Sequence, residues 1–303
     1  MDRWDRIGRC AAYAAALALT PYLLIKVSWV IGSLLGVAPI GKGFSLGSWV
    51  LLNTVTIAMA GTGIALALAL VRPWGMRLPG RLVALGAWAG AGFLVSILPY
   101  AVLSTLLGAS HGDSETGPAD DAAAPGWEAA LIQFGFVGMG LGLAVALPCY
   151  LRRRWPDAFA GRVGEGPRAG LPWAAVTAAV VGVVWLYWAV GGTLGMAHPA
   201  ERSTDGHLLT GLGAIWALIG ATAVWMICRS RPARWPRWLP LALGWLGSGS
   251  LVAWSGWKLP ATLFITLTHP ADVIPPENPA LAIPLHLAAV VAGAGMLRTL
   301  VAR

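Results

Sequence analysis

Eight long apolar runs constrain this chain more than any other feature, at about 10–36, 46–71, 80–108, 127–151, 170–196, 206–228, 238–266 and 279–300. A helix needs about 20 apolar residues to cross about 30 Å of hydrocarbon, and only helices or closed barrels satisfy their backbone there. Eight such runs use most of the 303 residues and leave no room for a sizeable soluble domain. The composition agrees: 57% of residues are hydrophobic and 11% charged, with a mean hydropathy of +0.69. Soluble domains carry roughly twice that charge density. The sequence therefore predicts an all-α integral membrane protein with eight transmembrane helices. The first run follows Arg3, Arg6 and Arg9 and so has the start of a secretory signal. It continues, broken only by Lys26, to Gly36, too long for a signal's apolar region. It reads as a span.

The net charge of +8 invites a nucleic-acid reading, and its distribution rejects one. With the N-terminus in the cytoplasm and eight crossings, 17 of the 21 basic residues fall in inner segments, among them Arg72, Arg77, Arg81, Arg152–Arg154, Arg229–Arg237 and Arg298. Lys42 and Arg202 fall outside, and Lys26 and Lys258 lie within spans. This is the positive-inside bias at every inner loop. It predicts a bacterial-type plasma-membrane protein with both termini cytoplasmic. Cys10, Cys149 and Cys228 fall at inner span ends, an odd number without metal-like spacing.

The chain also repeats itself. Trp29, Gly32, Leu35, Gly36 and Ala38 recur 159 positions later as Trp188, Gly191, Leu194, Gly195 and Ala197. At the same offset Ala58 and Gly61 match Ala217 and Gly220, and Arg72-Pro73 matches Arg231-Pro232. After a slip of one residue the small-residue run 89–92 matches 247–250. Four spans per half is an even number, so the halves share one orientation and form two parallel four-helix repeats. The boundary falls between 1–165 and 166–303. Small residues four apart, Gly32 with Gly36, Gly86 with Gly90, Gly138 with Gly142, Gly191 with Gly195 and Gly244 with Ser248, are expected to let helices approach closely. The longest outer loop, about 109–126, is acidic and rich in Gly, Pro and Ala, and is expected to be mobile.

The run from Tyr187 to Pro199, YWAVGGTLGMAHP, resembles the first-span signature of an uncharacterised family of short, four-span bacterial membrane proteins with a Y-W-A-x-G-G motif. The likeness is closest at Tyr187–Gly192; in the first half Ser28 and Ser33 replace Tyr187 and Gly192. The resemblance implies a tandem duplication of such a unit, and it brings no activity with it.

Ionisable groups within a span are costly and mark candidate sites. Lys26 and Lys258 are the only lysines in the apolar runs, and Asn53, Gln133 and His286 are the most polar of the other groups there. Those three lie six or seven residues inside the outer ends of their spans, roughly 10 Å deep. Trp29, Trp188, Trp254 and Trp257 share the layer. One reading is an outward crevice lined by Trp, with Lys26, Trp29, Asn53, Gln133, Trp188, Trp257, Lys258 and His286 as ligand-binding residues. The other is interhelical hydrogen bonding beneath an aromatic belt. All five histidines and nine of the thirteen acids fall on the outer side. His198, Asp205, His207 and His269 form a candidate cluster there, but no HxH or HExxH spacing supports a metal.

No P-loop, dinucleotide glycine motif, nucleophile elbow or CxxC is present, so no cofactor is implied. No pair of in-span carboxylates exists for ion coupling, and Glu128 falls at headgroup level. The partners expected are the lipid bilayer and a small amphiphilic molecule, not nucleic acid. The first function reading is a membrane protein that binds or moves such a molecule or supports a membrane partner. The alternative is a membrane-embedded enzyme acting on a lipophilic isoprenoid or lipid substrate, for which an in-span acid to donate a proton is missing.

Overall fold

The computed structural model describes residues 3–38, 40, 45–106, 126–165, 170, 172–268 and 275–302. Among the described residues the chain is all-helical and has no strands, with only two isolated bridges. The helices are α1 (Arg3–Leu34), α2 (Leu46–Ala69), the short α3 (Pro73–Arg77), α4 (Gly80–Leu106), α5 (Gly126–Arg154), α6 (Trp173–Ala189), α7 (Thr204–Arg229), α8 (Trp238–Thr268) and α9 (Pro279–Val301). Six of them, α1, α2, α4, α5, α7 and α9, are long and apolar enough to cross a membrane. They fit a polytopic membrane protein. Helix α8 has 31 residues and is not among these six. Helix α6 has 17 residues.

Caps set several boundaries. Ser45 and Ser48 form a capping box at the start of α2, Ser203 accepts from Gly206 N at the start of α7, and Asn278 accepts from Ala280 N ahead of Pro279 at the start of α9. The run expected to continue to 196 stops at Ala189. Gly191 and Gly195 take φ values of +96° and +85°, a left-handed backbone that other residues avoid. Trp188 Nε1 donates to Leu194 O at 2.9 Å, and Leu194 N donates to the Tyr187 hydroxyl at 3.2 Å. The Tyr187 ring fills the space a Cβ on Gly192 would need. The Y-W-A-V-G-G stretch is thus a helix-stopping turn. A similar economy ends α1, where Gly36 has φ +72° and both Val37 N and Ala38 N donate to Gly32 O.

The chain forms two compact units, Met1–Ala87 with Asp113–Trp155, and Trp88–Gly112 with Pro156–Arg303. In the first, α1 packs on α2 and α5 around Ala15, Leu19, Tyr22, Ala60 and Met139. Gly138 and Gly142 make the α1–α5 approach possible: a Cβ on Gly142 would stand 2.6 Å from Ala15 Cβ. Arg153 donates to Leu70 O and Arg154 to Met76 O and Leu78 O, covering carbonyls left open where α2 and α3 end.

In the second unit α6 packs on α7, α7 on α8 and α8 on α9, and α9 closes back on α6. The core is Ala178, Val181 and Trp185 of α6, Ala214, Ala217 and Val224 of α7, Leu251 of α8, and Ala289, Ala292 and Met296 of α9. The run Gly247-Ser248-Gly249-Ser250 on α8 is the crowded point. A Cβ on Gly247 would meet Gly220 Cα and Trp216 O at 2.6 Å, and one on Gly249 would meet Trp88 O of α4 at 2.7 Å. Trp88 Nε1 donates to Ser248 Oγ and Trp216 Nε1 to Val95 O. Other glycine pairs differ from expectation. A Cβ on Gly86 or Gly90 would meet no atom within 4 Å among the described residues, and Gly32–Gly36 and Gly191–Gly195 serve turns rather than helix contacts.

Candidate functional site

The turn after α6 does more than stop a helix. Ala197 N and His198 N both donate to Pro276 O, at 2.9 and 3.1 Å, and Asn278 N donates to Gly195 O at 3.1 Å. Met196 and Glu277 form an isolated bridge. These bonds fasten residues 275–278, the strap that leads into α9, onto the turn between α6 and α7. Asn278 then caps α9, and His286 lies about two turns further along that helix.

The result is a chain of three polar side chains drawn from α8, the strap and α9. Glu277 Oε2 lies 3.7 Å from His286 Nε2, and Ser255 Oγ lies 3.2 Å from His286 Nδ1. His286 is 2% exposed and Ser255 fully buried. They line a cavity of about 30 Å³ together with Trp185, Thr210, Trp254 and Lys258, room for about two water molecules. The Trp185 ring lies 6.0 Å from that of His286. Trp254 Nε1 is buried and has no hydrogen-bond partner among the described residues.

Charge is concentrated around this cavity. Burial pushes the Glu277 carboxyl upward, but His286, the Lys258 ammonium and the Arg202 guanidinium outweigh it and bring it down to about 2. Arg202 in turn is pulled down by its own burial and supported by Glu277. Its Nη2 donates to Thr210 Oγ1 at 2.6 Å and to Gly206 O at 3.2 Å. Glu277 is therefore a carboxylate at neutral pH, facing a histidine and two cations. The arrangement can hold an anionic or hydrogen-bonding group, and it can take a proton from Ser255.

The structure separates the residues singled out by sequence. Lys258 and His286 share the cavity just described. Trp188 is buried in the same unit with its N–H committed to Leu194, and Trp257 is 68% exposed on α8. In the first unit, Lys26, Trp29 and Asn53 cluster with Tyr22 and Trp49. Lys26 is fully buried, its Nζ 4.1 Å from the Trp29 ring and 5.7 Å from that of Tyr22. Trp29 stacks on Trp49 at 5.8 Å, and Asn53 Nδ2 donates to Trp49 O. Gln133 is exposed on α5.

Histidines elsewhere are engaged with the backbone: His198 Nδ1 lies 3.2 Å from Pro275 O, and His207 Nδ1 3.2 Å from Ala189 O. Among the described residues no three of His, Cys, Asp and Glu are grouped as metal ligands. His111, His269, Lys42 and most of the long acidic loop lie outside the described residues. Sequence reasoning left Glu277 among the outer-loop acids and did not single out Ser255. A weak signal exists for the latter: Ser255 precedes Lys258 by three residues and so shares its helix face.

Comparison of the chain with protein-family models, with curated proteins and with solved structures gives no match.

Proposed function

We propose that this polytopic membrane protein binds or moves a small amphiphile with an anionic head, held at the Lys258–His286 cavity of its second unit. The observation that carries this reading is the cavity itself: aromatic walls from Trp185 and Trp254, with Lys258, Ser255, Thr210, His286 and the Glu277 carboxylate as its polar groups. Such a combination of apolar surface with a few convergent polar groups is the usual form of a small-molecule site. In this reading the chain crosses a bacterial-type plasma membrane eight times as two parallel repeats, with the arginine-rich ends and both termini cytoplasmic and the cavity facing outward. The left-handed turns at Gly36 and Gly195, equivalent under the 159-residue offset, support the duplication.

Oleate titrated into the purified protein tests the proposal by native mass spectrometry. Wild type is expected to bind it, and Lys258→Met to weaken binding about tenfold, the loss of roughly 1.4 kcal/mol of charge interaction. Equal affinity in the two proteins sinks the reading. Lys26→Met, in the other unit, serves as the control for a general loss of positive charge. A second reading, an enzyme acting on a lipophilic substrate, is favoured by one specific contact, Ser255 to His286.

A further inference from the structure

Resting on the amphiphile site above, we infer that Ser255, His286 and Glu277 make it an acyl-transfer centre, with Ser255 Oγ the nucleophile toward a carboxylic ester carried by the amphiphile. Serines inside apolar helices ordinarily return their hydroxyls to a carbonyl three or four residues earlier. Ser28, Ser33 and Ser248 of this chain do so. Ser255 departs from that habit and meets an imidazole on another helix, 3.2 Å away.

The geometry supplies each role. His286 Nδ1 is within proton-transfer reach of Ser255 Oγ. The carboxylate of Glu277 faces the other ring nitrogen at 3.7 Å. That carboxylate favours the tautomer with its proton on Nε2, which leaves the Nδ1 lone pair free to accept from serine. This is the nucleophile–base–orienter logic of serine hydrolases with the two ring nitrogens exchanged. Trp254 Nε1, a buried donor without a partner, lines the same cavity, as does Lys258. Both can answer negative charge developing on a carbonyl oxygen in a site shielded from water. The cavity of about 30 Å³ takes the reacting carbonyl and one water. The substrate's chain extends out past the partly exposed Lys258.

The reaction balances with water as the co-reactant. Ser255 Oγ bonds to the carbonyl carbon, its proton passes to His286 Nδ1, and the carbonyl electron pair moves onto oxygen. Collapse of the adduct breaks the ester C–O bond, and the departing alcohol takes the proton from Nδ1. Water then attacks the acyl-serine, giving its proton to Nδ1; that proton returns to Ser255 Oγ as the carboxylic acid leaves. Ser255 and His286 are catalytic residues in this scheme. Glu277 is a positioning residue.

The test uses the full-length protein in phosphatidylcholine vesicles, treated with a dodecyl fluorophosphonate and mapped by peptide mass spectrometry, with oleate binding measured on the same samples. The expected result is one label, on Ser255, absent in Ser255→Ala. Glu277→Gln should slow labelling about a hundredfold. Glu277→Asp, which restores a carboxylate, should recover most of that rate, whereas a purely structural role would leave the Gln and Asp variants alike. Oleate binding with Ser255 unlabelled, or a label on another residue, overturns the acyl-transfer centre and leaves the binding site standing. Labelling of Ser255 without oleate binding supports the nucleophile and overturns the anionic-amphiphile reading. Neither label nor oleate overturns both.

Discussion

Glu277 is the residue on which most of the site's chemistry converges. Its carboxyl is held at about 2, against an ordinary value of 4.5. A depressed carboxyl contributes stability that is present above the unfolded value and disappears as pH falls through the folded one. The window is therefore about pH 4.5 down to 2. Thermal unfolding in detergent should show wild type losing on the order of 3 kcal/mol across that interval. Glu277→Gln should be less stable at pH 7 and flatter in acid. Parallel acid profiles for the two proteins would mean that the carboxylate is not held this way. His286 and Lys258 were visible in the sequence because a charge inside an apolar run stands out against its surroundings. Glu277 was not, since a loop acid beside prolines looks like any solvated loop acid until the fold carries it to a histidine. Ser255 was hidden for a related reason: a hydroxyl in a helix normally has a local use.

At the scale of elements, the turn after α6 holds the strap that carries Glu277. Trp188→Phe removes the N–H that reaches Leu194 O and shrinks a fully buried indole to a phenyl. A loss of about 2–3 kcal/mol is expected, the hydrogen bond together with the cavity left behind, with slower fluorophosphonate labelling because the strap's anchor loosens. Gly195→Ala adds a Cβ at φ +85° and drives it against Leu281, a cost of roughly 1–2 kcal/mol or more. Gly247→Ala tests the α7–α8 approach instead. Its new Cβ meets backbone atoms that cannot turn aside, so a loss of about 1–3 kcal/mol should appear in thermal unfolding. Wild-type stability in Gly247→Ala would mean the helices are not that close. Hydropathy alone made α6 too long, since Val190 and Leu194 are as apolar as the helix before them. The glycines stand out as a repeated pattern, but pattern does not reveal backbone hand. The pairing of Gly138 and Gly142 with α1 was legible because small residues four apart leave a flat helix face. The same spacing at Gly86 and Gly90 has no such contact among the described residues.

For the whole molecule, composition and run length sufficed to read a polytopic helical protein, because lipid permits few backbone solutions. The six long apolar helices agree with that. The number of crossings, their direction and the kinship of the halves are read from arginine distribution and offset matches. Reporter fusions test them. Alkaline phosphatase joined within 109–126 should be active outside the cytoplasm, and fluorescent protein joined after 303 should be bright inside it. An active phosphatase at both positions, or at neither, contradicts an even number of crossings with inner termini.

The strap latched to the turn beyond α6 has a consequence for how the site comes into being. Its acid belongs to the α8–α9 connection, its anchor to the connection two helices earlier, and its imidazole to α9. No nascent fragment ending before α9 can bring the three together, so the proposed chemistry waits until α9 has been made. Expressed as two pieces divided between α7 and α8, the protein should be inert in either piece and regain reactivity only where the pieces find one another.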